Sequence, residues 1–252
     1  MSHNLEKINK EGSAKEYSID ITFFIPCFNE ESNIKPTILN IVKAMEEFSL
    51  NYEIIVMDDA STDNSLQKLK RIKYENPDFP LTIKINQNNK GLGFNYFRCS
   101  FFAKGQYYML VNGDNVELVE GIIKLIGHCG EADMIIPYYG SNEKRSAFRK
   151  IVSRSYTKLI NAITGNKIKY YNGSILHRTD NIRYWQTEAT GFGYQAELVC
   201  RLLQENMSYL HVNVPQALRQ HGSSKAFKLS NILSVLSSLF NISKCTSKNR
   251  MS

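Results

Sequence analysis

Asn112 and Asp114 flank a single glycine, Gly113. In an extended chain, residues two apart point the same way, so an amide oxygen and a carboxylate face one point. Those are hard donors, suited to Mg²⁺ or Mn²⁺, ions that also bind diphosphate oxygens. Such an ion stabilises charge developing on a departing nucleoside diphosphate. A second cluster, Asp58-Asp59-Ala60-Ser61-Thr62-Asp63, offers a carboxylate to the imide N–H of uracil or to the N1–H and amino group of guanine. A third, Pro26-Cys27-Phe28-Asn29-Glu30-Glu31, adds an aromatic, Phe28, able to pack on a base face. Each cluster also has a plainer use, since Asn29 or Ser61 can cap a following helix with acids in its first turn. Three convergent acidic clusters are harder to explain as caps, because uncompensated acids at one edge repel each other.

The elements that must position these clusters alternate regularly. Ile21 to Pro26 is apolar and β-prone, and 30–49 carries helical periodicity through Ile34, Ile38, Ile41 and Met45. Glu53 to Met57, Leu81 to Ile85, Tyr107 to Val111 and Met134 to Pro137 read as further strands, separated by helices around 62–75, 91–104 and 117–127. Short apolar strands between amphipathic helices imply an α/β fold with a mainly parallel sheet covered on both faces. The clusters then follow strands one, two and four, at the carboxyl ends where open parallel sheets bind ligands. Beyond 140 the pattern is less regular: a basic helix (142–163), a short strand (169–176), a helix (194–205), a strand ending at Val214-Pro215, and an amphipathic helix (227–243). The implied organisation is a flexible extension over 1–18, one domain over 19–225, and a helix and tail over 226–252.

With 252 residues and 42% apolar content the chain can bury one large core. The net charge of +7 suits an anionic partner: a nucleotide, a lipid phosphate, a membrane surface or nucleic acid. Five scattered cysteines without CxxC spacing argue against a disulfide framework or structural zinc and favour a reducing compartment. No apolar leader opens the chain, and no run of about 18 apolar residues reads as a membrane span. The expected location is the cytoplasm, or the cytoplasmic face of a membrane as a peripheral protein. There is no P-loop, no Ser-His-Asp or Cys-His pattern, and no Arg/aromatic pattern that recommends nucleic acid as partner.

FFIPCFNEESNI (23–34) and EIIVMDDASTDNS (53–65) resemble the two opening signatures of the family 2 glycosyltransferases. Gly91-Leu92-Gly93 is similar to the turn before that family's third helix. Val214-Pro215 followed by Arg219-Gln-His-Gly-Ser-Ser-Lys225 resembles a late segment of the dolichol-phosphate mannose synthases. These matches span about residues 20–228. The resemblance implies a GT-A fold and transfer of a hexose, with inversion, from a nucleotide diphosphate sugar to a polyprenyl phosphate. By the same resemblance, Pro26, Phe28, Glu30, Met57 and Asp59 line the base and ribose pocket, and Asn112, Gly113 and Asp114 occupy the Asp-x-Asp position, with Asn112 and Asp114 holding Mg²⁺ or Mn²⁺. Arg219 and Lys225 match the basic pair that closes on the donor phosphates, on a Gly/Ser-rich segment suited to a lid.

Two departures matter. Asn112 replaces the first acid of the Asp-x-Asp pair, leaving Asp114 as the one acid there. Many relatives also place an Asp before the Gly of the acceptor-side strand, where this chain reads Lys167-Ile-Lys169-Tyr-Tyr-Asn-Gly173. A sugar hydroxyl usually needs a base, whereas a phosphate monoester, with a second pKa of about 6, is already largely dianionic at neutral pH. The missing acid fits a lipid-phosphate acceptor; Glu197 is the remaining candidate base. Lys144, Arg145, Arg149, Lys150, Arg154 and Lys158 share one helix, with 150, 154 and 158 in a row that either meets anionic lipid or is merely solvated. The terminal helix, with Leu229, Ile232, Leu233, Leu236, Leu239 and Phe240 on one face, either docks on the domain or lies in a membrane interface. Rival readings are transfer to a glycan hydroxyl, a nucleotidyltransferase, and an inactive nucleotide-sugar-binding protein.

Overall fold

The computed structural model describes residues 17–140, 146–185, 193–215, 217 and 238–242. Most of the 1–18 extension, Lys144, Arg145, Arg219, Lys225 and nearly all of the tail lie outside the described residues.

The elements run β1 (Ile19–Cys27), α1 (Ile34–Met45), β2 (Tyr52–Asp58), α2 (Ser65–Glu75), β3 (Leu81–Ile85), α3 (Leu92–Ser100), β4 (Gly105–Leu110), α4 (Val119–Ile126), β5 (Met134–Tyr138), α5 (Ala147–Thr164), β6 (Leu176–Arg178), α6 (Thr179–Tyr184), α7 (Tyr194–Gln204) and β7 (Tyr209–Asn213). The seven strands form one sheet in the order β3-β2-β1-β4-β6-β5-β7. Only β6 runs against its neighbours. The mostly parallel α/β arrangement expected from the alternation is therefore present.

Both sheet faces are covered, which is why β1 and β2 are apolar almost without interruption. Ile21, Phe23 and Ile25 pack with residues of α1, α2 and α4. Phe24, between them in sequence, joins the opposite layer, which contains residues of α3, α5, α6 and α7. Buried aromatics tie α7 into that layer: the rings of Tyr96 and Tyr194 are 4.8 Å apart, and those of Tyr96 and Tyr108 5.2 Å. The Tyr108 hydroxyl donates to the Tyr96 carbonyl at 3.0 Å. Residues 238–242 are helical, and Leu239 and Ile242 pack in the same layer. Asn241 Nδ2 donates to Glu197 Oε1 at 3.3 Å, so this stretch of the terminal helix docks on the domain.

The acceptor-side strand expected over 169–176 is shorter and later than its composition implied. The side chain of Asn161, in α5, takes the place of a ladder partner: Nδ2 donates to the Ile168 carbonyl at 2.8 Å, and Oδ1 accepts the Ile168 N–H at 3.3 Å and the Tyr171 hydroxyl at 2.8 Å. Chain pairing resumes only at Leu176, opposite Met109 and Ile135. α5 also starts later than the basic run implied and stops at Gly165, whose φ of 78° gives a left-handed cap.

His177, opposite Tyr108 and Met134, is fully buried, and neither ring nitrogen has a hydrogen-bond partner among the described residues. Burial pushes its pKa down to about 3. Unfolding returns the imidazole to an ordinary value near 6.5, so between those values the unfolded chain binds the extra proton and stability falls as pH falls. This one group is expected to remove about 2 kcal/mol between pH 7 and pH 5. Urea unfolding at both pH values should show that loss shrinking in His177→Leu; an unchanged pH dependence would clear His177 of the effect.

Candidate active site

The loops after β1 and β2 are laced together by short polar side chains. Asn29 N–H donates to Ser61 Oγ (3.0 Å) and Thr62 N–H to Asn29 Oδ1 (2.8 Å). Glu30 N–H donates to Ser65 Oγ (2.8 Å), Glu31 N–H to Asp63 Oδ2 (3.1 Å), and Asn64 N–H back to Glu31 Oε2 (3.0 Å). Burial alone would raise the Asp63 carboxyl, but hydrogen bonds from Ser65 and from the Glu31 backbone leave it below the usual range. Glu31 and Asp63 are thus braces between loops, neither the ligand-binding use nor the helix-capping use that the sequence offered them.

Asp59 is buried and accepts three hydrogen bonds: from Asn86 Nδ2 (2.7 Å) and Lys90 N–H (2.8 Å) on Oδ1, and from Gly91 N–H (2.9 Å) on Oδ2. A carboxylate oxygen has about two acceptor positions, so one remains, on Oδ2. That is the capacity needed for a single N–H of a base. Asn86 also donates to Asn95 Oδ1 and accepts from Arg98, a network that the sequence reading missed because its members stand in unrelated elements. Pro26 sits beside Met57 in register; Met57 itself is buried in the apolar layer against α3.

Gly113 lies close against Pro26: a Cβ there would stand 2.5 Å from the Pro26 carbonyl oxygen and 3.6 Å from Glu30 Cγ. Pro26, Glu30 and Gly113 are therefore neighbours. The Glu30 carboxylate accepts Asn33 Nδ2 at 2.7 Å, and its carbonyl accepts the N–H groups of Asn33 and Ile34 at the start of α1. Phe28 follows β1 and is half-buried.

The loop after β4 contains an acid that the sequence reading passed over. Asn112 Nδ2 donates to Glu117 Oε1 at 2.6 Å, and Ser174 Oγ donates to the same oxygen at 2.6 Å. Glu117 Oε2 is shielded from solvent with no hydrogen-bond partner among the described residues. Burial, and then the charge of Asp114, push the Glu117 carboxyl up to about 7. Asn40 in α1 pins the loop, donating to Asn115 Oδ1 (3.0 Å) and to the Glu117 carbonyl (3.1 Å). In sequence Glu117 looks like one more acid near a helix start. Only its contact with Ser174, 57 residues on, marks it out. The carboxylate absent from 167–173 thus reaches that segment from the β4 loop.

Glu197 sits elsewhere. It is buried on α7, beside a narrow cleft formed with Cys200, Arg201, Gln204, Asn241 and Ile242. Glu117 and Ser174 line a different narrow cleft, with Val116, Tyr139 and Pro215. α7 touches the acceptor side through Gln195, whose Nε2 donates to the Gly173 carbonyl at 2.7 Å.

No group of three His, Cys, Asp or Glu side chains among the described residues is arranged to hold a metal. The donor set at 112–114 still fits a hard cation. With Nδ2 given to Glu117, the Asn112 carbonyl oxygen is the prong left to meet a cation. Mg²⁺ typically takes one or two such oxygens and completes its shell with water and substrate phosphates.

The glycosyl transferase family 2 model matches residues 22–183, from β1 into α6. The chain belongs to glycosyl transferase family 2. Among curated proteins it is similar to the undecaprenyl-phosphate 4-deoxy-4-formamido-L-arabinose transferase of Proteus mirabilis, 25% identical over 240 residues that cover 90% of this chain and 67% of that one. Among solved structures it resembles the glucosyl-3-phosphoglycerate synthase of Mycobacterium tuberculosis in complex with Mn²⁺, UDP and phosphoglyceric acid, with a TM-score of 0.67, 18% identity, and 88% and 79% of the two chains covered. The same enzyme with Mg²⁺ and UDP gives a TM-score of 0.66 at 17% identity, covering 88% and 80%. The fold is GT-A, and this family member is a glycosyltransferase.

Two changes test the geometry of the strand-end loops. Asn29, Ala60 and Asn115 all have positive φ, 59°, 62° and 59°, and each turns the chain away from a strand. Alanine resists that conformation by about 1–2 kcal/mol, while glycine adds about 0.4–1 kcal/mol of unfolded-chain entropy to overcome. Ala60→Gly is expected to stabilise the protein by about 0.5 kcal/mol in urea unfolding. Gly113→Ala must push the β4 loop off the Pro26 carbonyl and is expected to cost about 1–3 kcal/mol by the same measurement.

Proposed function

We propose that the chain transfers a hexose from a UDP- or GDP-sugar to a polyprenyl phosphate, with inversion, at the cytoplasmic face of a membrane. The observation that carries the acceptor is α5. One side of this helix packs on the domain through Thr157 and Ile160. Its outer side exposes Phe148 (65%), Ile151 (63%), Val152 and Leu159. Arg149, Lys150, Arg154 and Lys158 lie among and beside them, and Ala147–Thr164 contains no acid. Cations beside exposed apolar side chains suit a phosphate carried on a hydrocarbon chain, or the anionic surface that holds it. No helix among the described residues is long and apolar enough to cross a membrane. The Proteus mirabilis relative, which acts with undecaprenyl phosphate by its name, supports the same acceptor class.

In this reading the open position on Asp59 Oδ2 takes an N–H of the base, while Phe28 and Pro26 bound the base and ribose. Asn112 and Asp114 hold Mg²⁺ or Mn²⁺, which when bound neutralises charge on the leaving diphosphate. Arg219 and Lys225 close on the same phosphates. An oxygen of the acceptor phosphate attacks the sugar's anomeric carbon from the face opposite the donor. The bond to the nucleoside diphosphate breaks, and the diphosphate leaves with that electron pair. The dianionic acceptor needs no base to remove a proton.

Glu117 favours a second reading, transfer to a sugar hydroxyl. A carboxyl raised towards neutrality beside the acceptor-side segment is matched to general-base work.

Thermal unfolding with UDP-, GDP-, CDP- and ADP-sugars, with and without Mn²⁺, tests the donor half. One nucleotide class should stabilise by about 2.7 kcal/mol at about 100 times its Kd, and Asp114→Ala should abolish the Mn²⁺ requirement or the response. Transfer of labelled sugar to a short polyprenyl phosphate tests the acceptor half. The triple change Lys150→Ala, Arg154→Ala, Lys158→Ala should reduce that transfer at least tenfold while leaving donor stabilisation intact. Equal transfer by the triple variant sinks the lipid-phosphate reading, and release of pyrophosphate from a nucleoside triphosphate would indicate a nucleotidyltransferase instead.

A further inference from the structure

We infer that Glu117 is a positioning residue that makes Asn112 work as an oxygen donor in the nucleotide-sugar site, and that the two form a matched pair. The inference rests on the donor reading proposed above. An amide side chain ends in one prong that only accepts and one that only donates, and a carboxyl oxygen without a proton, as Glu117 Oε1 is while Ser174 also donates to it, only accepts. The 2.6 Å bond from Asn112 Nδ2 to Glu117 Oε1 therefore fixes which prong is which. The carbonyl oxygen is thereby turned away from Glu117 and left to meet the cation that the donor reading gives to Asn112 and Asp114.

Glu117 is itself held from two directions. Ser174 Oγ, on the acceptor side, donates to the same Oε1 at 2.6 Å, and Asn40 Nδ2 holds the Glu117 carbonyl at 3.1 Å. Ser174 is buried, and the neighbouring Gly173 is closely packed and tethered: a Cβ on it would stand 2.5 Å from Pro137 Cγ, and its carbonyl accepts Gln195 Nε2 at 2.7 Å. The orientation of the donor amide is thus set by a strut reaching to the other side of the cleft.

The pair also accounts for the residue at 112. An aspartate there would bring a carboxylate oxygen into the place of Nδ2, against Glu117 Oε1, and two carboxyls so close hold one proton and one charge between them, so the introduced acid is drawn to Glu117 rather than to a cation. Restoring the family's acid should therefore harm the site while Glu117 remains. Glutamine at 117 would cure the clash, because its amide can donate to the introduced carboxylate.

The test is a four-protein cycle of wild type, Asn112→Asp, Glu117→Gln and the double variant, measured without turnover. Electron paramagnetic resonance of free Mn²⁺ in the presence of UDP gives the Mn²⁺ affinity of each, and urea unfolding gives its stability. Changes in residues that orient metal ligands typically weaken metal binding about 10–100-fold. Each single variant is expected to bind Mn²⁺ at least about tenfold more weakly, at the low end of that range, with the double variant restored to near the wild-type value. Additive losses, or Asn112→Asp binding more tightly than wild type, would overturn the pairing. A glutamate of merely structural importance would change urea stability in Glu117→Gln without moving the Mn²⁺ affinity, which also overturns it. If either single variant fails to fold, Ser174→Ala loosens Glu117 without touching Asn112 and must shift Mn²⁺ affinity in the same direction. Wild type that binds neither UDP nor Mn²⁺ overturns the donor reading itself, a result separate from failure of the cycle.

Discussion

A buried carboxylate with its hydrogen bonds satisfied holds the donor half of this protein together. Asp59 leaves β2 with its N–H on the Cys27 carbonyl of β1 and its side chain on Asn86 at the end of β3. It also holds the Lys90 and Gly91 N–H groups that lead into α3. Left without donors in the interior, that carboxylate would cost several kcal/mol. With three of them it fixes the ends of three strands against each other. The backbone N–H groups before a helix are favourable partners for an anion in any case, so the capping role and the base-binding role proposed for Asp59 fall on one group. The capping donors use most of its capacity, and what remains defines how much of a ligand it can read.

The acceptor half is built on different terms. β6 is three residues long and reversed in an otherwise parallel sheet. The chain before it is held by side chains: Asn161 serves the backbone of Ile168, and Gln195 serves that of Gly173. Polar side chains in place of a ladder leave residues 169–175 free to follow the cleft rather than the sheet. Glu117 joins the two halves, accepting from Asn112 on one side and Ser174 on the other. It lies at hydrogen-bonding distance from the groups that would hold donor and acceptor, and its environment disfavours charge for the same reason, since it is shielded from water and near Asp114.

Most of the fold was legible in the residue pattern. Strands buried on both faces are apolar throughout, and amphipathic helices announce their period, so β1 to β5 and α1 to α4 were readable within a few residues. Asp59, Gly113 and Asp114 were singled out because each follows a strand closely and belongs to a recognisable cluster. Glu31 and Asp63 belong to the same clusters but turn to each other's loops. Residue type does not separate a brace from a ligand-binding group. The short β6 was misjudged because Tyr170 and Tyr171 have strand-forming character while Asn161, nine residues before Tyr170, decides their conformation.

The sequence by itself determined the alternation of strands and helices, the three polar turns and the family, because these depend on periodicity and on residues adjacent in the chain. It could not determine which distant side chains meet. Glu117 and Ser174 touch because β6 inserts between β4 and β5, and that strand order is written in no local pattern. Glu197 alone stood out in sequence as a candidate base, yet packing of α7 against Tyr96 sends it to a separate cleft, and the acid beside Asn112 is Glu117. The chemistry of a carboxylate is set by what surrounds it, and only the tertiary structure assembles those surroundings.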